Sequence, residues 1–285
     1  MKVSLCAFAD EASADFGEQL CILKEEGIPF IELRGLDGKN VADLTEEEAR
    51  RYRAQLDGSG IRVWSIGSPI GKISLSDDFG EHLKRAERVF RLAGIFGTER
   101  VRAFSFFTDS PLRDEAQVFE KLEKLLDLAK EYGIVYCHEN EKGIYGDSAE
   151  RCFKLLQTFP ALTCVFDPAN FVQCGQDVSA ALGLLREKTD YYHIKDALSS
   201  DGAVVPAGEG DGRLGEVIAG IAKDTVFTVE PHLAVFSGYD NIDRSALRHR
   251  YAYPSARTAF SAAVGALKSL LQRNGYREEN GVWIK

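Results

Sequence analysis

The sequence predicts a single α/β domain, a parallel (β/α)8 barrel that spans residues 1–285. Short apolar segments alternate strictly with segments of helical periodicity, and eight such pairs follow one another along the chain. Strict alternation is typical of parallel strands connected by helices, and eight units favour closure of the sheet into a barrel. A chain of 285 residues with 45% hydrophobic content is also long enough to bury one large core.

The predicted elements follow one another without a linker. Ser13 is expected to cap the first helix, and Thr45, with Glu48 in a capping box, the second. The six later helices are predicted at residues 79–96, 114–132, 148–158, 178–188, 215–223 and 255–273. The strands are predicted at residues 3–8, 29–34, 61–66, 100–104, 134–139, 162–166, 191–192 and 225–229.

Two segments lie outside this alternation. Residues 233–254 follow the eighth strand and are too long for a tight connection, so we expect a loop that lies over the catalytic face. Residues 280–285 follow the last helix and are expected to form a short C-terminal tail.

The composition excludes some classes of partner. A formal charge of −9 argues against a protein that binds nucleic acid through its phosphates. No segment reaches membrane-spanning length and no cleavable leader precedes the first strand, so we expect a cytoplasmic protein with no membrane partner. Six dispersed cysteines, none in a Cys-x-x-Cys pair, are expected to be buried reduced thiols. The expected partner is a small molecule, and formation of a homo-oligomer is left open.

Ionisable residues stand at the ends of the last four predicted strands. Glu139, Asp167, His193 and Glu230 each follow an apolar run. Because strand ends of a parallel barrel meet on one face, these side chains are expected to lie together. Three adjacent carboxylates repel one another unless a cation compensates them, which predicts a site for one divalent metal ion (Mn, Mg, Co or Zn). The oxygen-rich ligand set suits Mg²⁺, Mn²⁺ or Co²⁺ better than a closed structural zinc site, and the alternative is four unrelated ion pairs.

Short motifs surround these positions, and further motifs lie in the first half of the chain. They are His-Glu-Asn at 138–140, Phe-Asp-Pro-Ala-Asn at 166–170, His-Ile-Lys-Asp at 193–196, Pro-Ala-Gly-Glu-Gly at 206–210, Glu-Pro-His at 230–232, Phe-Ala-Asp-Glu at 8–11, Glu-Leu-Arg at 32–34 and Ser-Pro-Ile-Gly-Lys at 68–72. Together they resemble the sugar phosphate isomerase/epimerase branch of the xylose isomerase-like TIM barrel superfamily. The resemblance covers about residues 2–270 and is specific for the superfamily rather than for a reaction.

The resemblance implies a metal-dependent isomerase or epimerase that acts on a small polyhydroxylated carbonyl compound, a keto sugar or sugar derivative. Glu139, Asp167, His193 and Glu230 would hold one metal, and Glu139 and Glu230 would be the catalytic acid/base pair. Chelation of two substrate oxygens would acidify the intervening C–H bond and stabilise an enediolate. An inosose-type dehydratase is the enzymatic alternative, since the same intermediate can expel a hydroxyl group.

Two further functions remain as alternatives in other classes. A non-catalytic protein that binds a sugar or sugar acid would not require both glutamates. An abasic-site endonuclease of the same superfamily would have a three-metal site. The additional metals would need more histidines. Strands three and four end in Ile-Gly-Ser and Phe-Ser-Phe, at residues 66–68 and 104–106, which disfavours the endonuclease.

Seven more residues are candidates for contact with substrate. Lys195 and His232 lie two positions beyond His193 and Glu230 and should share their faces. Asn170 stands where some family epimerases place a substrate-binding histidine, and His138 is expected to leave on the other side of its strand as a supporting residue. Three cations near the ends of strands two to four are candidates for binding a carboxylate or phosphate, or for surface ion pairs: Arg34, Lys72 and Arg102.

Overall fold

The computed structural model describes residues 1–236, 250–279 and 281–285 and confirms the closed parallel barrel. Each strand pairs in parallel with the next, and the eighth pairs with the first from Val3–Thr225 to Ala7–Val229. The barrel strands are β1 Lys2–Ala7, β2 Phe30–Leu33, β3 Arg62–Gly67, β4 Arg100–Ala103, β5 Val135–Glu139, β6 Thr163–Phe166, β7 Thr189–Ile194 and β8 Thr225–Val229.

The helices return the chain between successive strands. They are α1 Phe16–Glu25, α2 Glu46–Ser59, α3 Phe79–Phe96, α4 Pro111–Glu131, α5 Ala149–Thr158, α6 Pro168–Gln173, α7 Val178–Leu185, α8 Leu214–Ala219 and α9 Ala256–Arg273. The short helix α6 lies between β6 and α7 and was not predicted as a separate element. No helix within the described residues is both long and apolar enough to cross a membrane.

Helix capping confirms one prediction and corrects another. The Thr45 hydroxyl accepts a hydrogen bond from the Glu48 amide at 3.2 Å, and the Glu48 carboxylate accepts one from the Thr45 amide at 2.7 Å. Helix α1 is capped by Asp15, whose carboxylate accepts a hydrogen bond from the Glu18 amide at 2.7 Å. The prediction of Ser13 was wrong, because its hydroxyl instead accepts from the Asp15 amide and donates to the Glu18 carboxylate.

The core has two layers. The larger layer lies between the strands and the helices, and a smaller cluster fills the barrel interior with Cys6, Cys137, Val165, Tyr191 and Val226. All cysteines are free thiols, and four of them are buried. The expectation that all were buried was wrong for Cys21, which is exposed on α1, and for the half-buried Cys174.

The expected C-terminal tail is instead part of a β-hairpin. Strands β9, Arg277–Glu279, and β10, Val282–Ile284, are antiparallel, and β10 pairs antiparallel with β1 through Trp283 and Val3. Strand β1 pairs with β2 only at Cys6 and Ala7, so the hairpin supplies a partner for the start of β1. Residue 280 and the central part of the predicted 233–254 loop, residues 237–249, lie outside the described residues.

We expect Trp283→Ala to lower the free energy of unfolding by about 3–5 kcal/mol, because a large buried side chain would leave a cavity. Trp283 is 2% exposed. Urea unfolding monitored by circular dichroism measures the loss. Arg277→Ala, at an exposed position of the same hairpin, is the control and should change little. Equal stability of the two variants would contradict a structural role for the hairpin.

Candidate active site

Four strand-end side chains meet on the axis of the barrel. Glu139 from β5, Asp167 after β6, His193 from β7 and Glu230 after β8 are all at most 3% exposed, and one ligand atom from each lies within 4.8 Å of the others. The Nδ1 atom of His193 lies 3.0 Å from Oε1 of Glu139 and 3.3 Å from Oε2 of Glu230. The structure therefore brings together the four residues that the strand pattern singled out.

Local backbone interactions fix Asp167 in this group. Asp167 is the N-cap of α6, and its Oδ1 atom accepts a hydrogen bond from the Asn170 amide at 2.9 Å. The Asn140 side chain bonds both the carbonyl and the amide of Asp167, at 2.9 Å each. Oδ2 of Asp167 is left facing the cluster. Sequence reasoning did not assign a role to Asn140, although it directly follows the predicted ligand Glu139.

Lys195 lies within the cluster, as its alternation with His193 predicted. Its Nζ atom is 2.9 Å from Oδ2 of Asp167 and 3.2 Å from Oε2 of Glu230. Burial disfavours the ammonium ion, but the carboxylates of Asp167 and Glu230 outweigh this effect and raise the pKa of Lys195 well above its usual value. Lys195 is therefore a fixed positive charge beside two of the predicted metal ligands.

Arg34 and Arg102 are buried and engaged by carboxylates of the protein. Arg34 contacts Asp10, Glu11 and Glu230 at 2.8, 2.9 and 3.1 Å. Nε of Arg102 lies 3.2 Å from Oε2 of Glu139, and its Nη1 donates to the Ser68 carbonyl at 2.9 Å. Asp10 and Glu11 were not predicted as site residues, but their position directly after β1 follows the same strand-end rule.

Carboxylates outnumber permanent cations in this ion-pair network. Its six carboxylates face three permanent cations, Arg34, Arg102 and Lys195. Burial, opposed by Lys195 and reinforced by Glu230 and Glu139, raises the pKa of Asp167 to about 7. The carboxylates are Asp10, Glu11, Glu32, Glu139, Asp167 and Glu230. A cation in the cluster would compensate this excess and favour the ionised form of Asp167.

The donor set fits one divalent metal ion. Oδ2 of Asp167 is buried and accepts no hydrogen bond from any described residue, so the ion pair with Lys195 leaves this oxygen able to bind a further partner. Three carboxylates and one imidazole are ligands of Mg²⁺, Mn²⁺, Co²⁺ and catalytic Zn²⁺. The ligands would be Glu139, Asp167, His193 and Glu230.

A second group of metal-ligand type lies next to the first but is already compensated. Glu11, Glu230 and His232 approach one another, and His232 lies 3.3 Å from Glu11 and 3.5 Å from Glu230. The Arg34 guanidinium contacts both glutamates of this group. Because this cation lies between the two carboxylates, the group does not require an ion of its own.

Glu32 is a site residue that sequence reasoning missed. It lies on β2 inside the barrel, and its Oε2 atom is 3.1 Å from Nε2 of His193, on the side of the ring opposite to Glu139. Glu32 and Arg34 are two positions apart on one strand and therefore share a face. A glutamate inside an apolar strand, two positions before a candidate arginine, was the sequence signal that could have identified Glu32.

Asn170 and His232 also lie at the cluster. The Asn170 side-chain amide donates to the Asn140 carbonyl at 2.9 Å and lies 3.4 Å from Oε1 of Glu139. The His232 backbone amide donates to Glu11 at 2.7 Å, and its ring stacks on Phe236 with centroids 5.8 Å apart.

Lys72 and His138 lie away from the four predicted ligands. Lys72 pairs with Glu141 at 2.9 Å and lines a cavity of about 800 Å³ between the loops that follow β3, β4 and β5. His138 bonds the Ser105 hydroxyl at 2.9 Å, on the opposite face of β5 from its neighbour Glu139. This position agrees with the supporting role expected for His138. It does not indicate a direct contact with substrate.

The loop after β7 is held by Asp196, which explains the glycines of the 206–210 motif. The Asp196 carboxylate accepts hydrogen bonds from the amides of Gly208, Gly210 and Gly212 at 2.8, 3.0 and 2.8 Å. A Cβ atom at Gly210 would lie 2.4 Å from this carboxylate. The close approach therefore requires glycine and anchors the segment next to Lys195.

We expect His138 to make folding stability depend on pH below about 6.5. Burial lowers the pKa of His138 to about 3, whereas an unfolded histidine titrates near 6.5. The unfolded chain therefore binds a proton that the folded chain excludes, and stability is lost as pH falls through this window, by about 1.4 kcal/mol per pH unit. Urea unfolding should show a shallower loss for His138→Gln than for the wild type. The difference between their free energies of unfolding above pH 7 gives the cost of the substitution itself. If the free energies of both proteins fell in parallel below pH 6, the prediction would be wrong.

Comparison with known proteins places this arrangement in a family. A family model described as xylose isomerase-like TIM barrel matches residues 21–243. The 3-dehydroshikimate dehydratase of Bacillus anthracis is 23% identical over 207 residues, which cover 70% of this chain and 74% of that protein. The structure of an IOLI protein with a bound zinc atom has a TM-score of 0.73 at 17% identity and covers 95% of this chain and 99% of that one. That of L-ribulose 3-epimerase has a TM-score of 0.72 at 18% identity and covers 96% and 95%.

Structural similarity at these identities shows the fold, and the family match comes from the sequence. The match spans more than half of the chain and includes Glu139, Asp167, His193 and Glu230. It confirms the resemblance drawn from the motifs. The chain belongs to the xylose isomerase-like TIM barrel family.

Proposed function

We propose that the protein is a divalent-metal-dependent isomerase or epimerase of a small polyhydroxylated ketone, a keto sugar or a related sugar derivative. The observation that carries the proposal is the convergence of two carboxylates, Glu139 and Glu230, beside the predicted metal position. Both lie within 3.3 Å of Nδ1 of His193 but come from β5 and from the end of β8, which are separated by two strands. Two carboxylates can thereby approach a bound substrate from different sides.

The residues of the chain supply the proton transfers. A divalent ion held by the four ligands would polarise the substrate carbonyl and make the adjacent C–H bond more acidic. Although burial opposes ionisation, Lys195, His232 and His193 lower the pKa of Glu230 well below its usual value, so this carboxylate is ionised and able to accept a proton. Delivery of a proton from the protonated form of Glu139 to the opposite face gives the epimer and leaves Glu230 protonated. Return of the abstracted proton from Glu230 to the neighbouring carbon, with transfer of the hydroxyl proton to the former carbonyl oxygen, gives the isomer.

Lys195 is placed to stabilise the negative charge that develops on the substrate. Its ammonium group lies close to Asp167 and Glu230, within the group of predicted ligands. A fixed cation beside the reacting oxygen lowers the energy of an anionic intermediate because it needs no reorganisation during the reaction. Its pairing with Asp167 also keeps it inside the site.

The two buried arginines of the site are already paired within the protein, which favours an uncharged substrate. Arg34 and Arg102 were candidates for binding a substrate carboxylate or phosphate, but both are engaged by carboxylates of the protein. Releasing either one would leave buried carboxylates unpaired, which is costly. This supports a neutral keto sugar or cyclic polyol ketone over a sugar phosphate or a sugar acid.

Dehydration of a cyclic polyhydroxylated ketone is the second candidate. Two observations favour it: the B. anthracis relative is a dehydratase, and the Asn170 amide is engaged by Asn140 where some epimerases place a substrate-binding histidine. The first step is the same removal of a proton by a glutamate. The electron pair then forms a C=C bond and expels the β-hydroxyl group, which leaves as water after taking a proton from His232.

We expect the purified protein to contain about one divalent ion per chain by elemental analysis, after reconstitution if needed. The double substitution Glu139→Gln, Asp167→Asn should remove the ion, since it deletes two of the predicted anionic ligands. Glu141→Gln is the matched control, because Glu141 pairs with Lys72 outside the group and its loss should leave the ion bound. A protein that takes up none of Mn²⁺, Mg²⁺, Co²⁺ or Zn²⁺ would exclude the metal-dependent mechanism.

We expect Glu139→Gln and Glu230→Gln each to lower kcat by about 10²–10⁴-fold, because each removes an acid/base group. Screening ketoses and inososes in deuterated water, with mass spectrometry and NMR, measures deuterium next to the carbonyl and separates epimer, aldose and dehydrated product. Glu120→Gln, on the exposed face of α4, is the control. Ligand binding with no exchange or turnover in the wild type would instead identify a non-catalytic binding protein.

A further inference from the structure

We propose that Glu32 is a positioning residue that holds the His193 ring so that its Nδ1 atom faces the bound ion. The inference rests on the proposed metal site, but it concerns a residue outside the four predicted ligands. Glu32 would bind neither metal nor substrate. It would act through its contact with His193.

The place of Glu32 in the barrel calls for such a role. The interior of a parallel barrel is ordinarily filled by branched apolar side chains, and an ionised carboxylate there is costly unless it is bonded. Glu32 is 1% exposed and lies on β2, below the ring of predicted ligands. Its Oε2 atom is 3.1 Å from Nε2 of His193, at the far end of the imidazole from Glu139.

The two ring nitrogens of His193 thus have separate partners. Nδ1 faces Glu139 and Glu230, and Nε2 faces Glu32. A neutral imidazole that donates its Nε2 proton to Glu32 has the lone pair on Nδ1, where the predicted metal position lies. Aromatic rings pack against the imidazole with centroids 5.2 Å away for Phe8 and 5.6 Å for Tyr191. The hydrogen bond selects the tautomer, and the packing limits rotation of the ring.

Besides the Arg102 guanidinium, whose Nε lies 3.9 Å from Oε1, neutral donors from other strands fix Glu32. The Thr228 hydroxyl donates to Oε2 at 3.0 Å, and the Tyr191 hydroxyl donates to Oε1 at 2.9 Å. Tyr191 also contacts the Ser65 hydroxyl at 3.2 Å. These contacts come from β3, β7 and β8 and do not involve the four predicted ligands other than His193. The carboxylate is therefore positioned by the barrel itself.

The test measures metal affinity rather than activity. Isothermal titration of the apoprotein with Mn²⁺ should show a Kd increased about 10–100-fold in Glu32→Gln, the usual effect of losing a partner of a metal-binding histidine. Glu32→Asp keeps the charge but withdraws the carboxylate from His193, and it should also weaken binding. Glu120→Gln, on the exposed face of α4, is the control, since it removes a carboxylate far from this contact, and its Kd should stay close to that of the wild type.

A double-mutant cycle separates positioning from simple charge attraction. If Glu32 acts through His193, Glu32→Gln should cause no further loss of Mn²⁺ affinity in a His193→Ala background. If Glu32 only contributes negative charge, the loss should be the same in both backgrounds, and the proposal would be wrong. In the Zn²⁺-loaded protein, ¹⁵N shifts of His193 should report the Nε2-protonated tautomer, and the Nδ1-protonated form would also overturn the proposal.

The outcomes distinguish this inference from the proposed function. A wild-type protein that binds no divalent ion removes the proposed function. A wild-type protein that binds the ion, with Glu32→Gln and Glu32→Asp binding equally well, removes only the role of Glu32. Circular dichroism checks the folding of each variant. If Glu32→Gln and Glu32→Asp fail to fold, Thr228→Val replaces them, since it keeps Glu32 but deletes a donor to Oε2. It should show a smaller loss of Mn²⁺ affinity.

Discussion

The burial of six carboxylates at one end of the barrel is the constraint on which the site depends. Carboxylates from five strands meet within an interior that excludes water, where unpaired charges are strongly destabilising. Arg34, Arg102 and Lys195 offset part of this charge, and each contacts more than one acceptor. The buried Oδ2 atom of Asp167, which accepts no hydrogen bond from the described residues, and the convergence of Glu139, His193 and Glu230 on it define a position suited to a divalent cation.

The barrel scaffold fixes this arrangement. Parallel strands place their last residues on one face, and hydrogen bonds from Asn140 and the N-terminus of α6 orient Asp167. Asp196 holds the glycine-rich loop after β7, next to Lys195. Catalysis by positioned carboxylates depends on such rigidity, because small displacements of acid and base cost rate. The polar layer around Glu32 extends the same support into the barrel interior.

The proposed reactions share one chemical requirement, which is removal of a proton next to a carbonyl. Glu139 and Glu230 meet it from separate strands, and Lys195 supplies a fixed positive charge beside Glu230 and Asp167. Epimerisation, isomerisation and dehydration then differ only in where the next proton goes. Arg34 and Arg102 are paired within the protein, which supports our proposal of a neutral ketone as substrate.

The sequence by itself determined the fold class and the four predicted ligands, because strand and helix periodicity and the rule of strand ends are local patterns. It also indicated Lys195 and His232 through two-residue alternation. Only the tertiary structure decided that Glu32 contacts His193 across the barrel. It also decided the ion pairs of the predicted cations: Arg34 pairs with Asp10 and Glu11, and Lys72 pairs with Glu141. It also showed residues 282–284 as a strand beside β1 rather than a tail. These contacts join residues distant in the chain, and their partners depend on barrel closure and on the direction of each side chain, which local patterns do not specify.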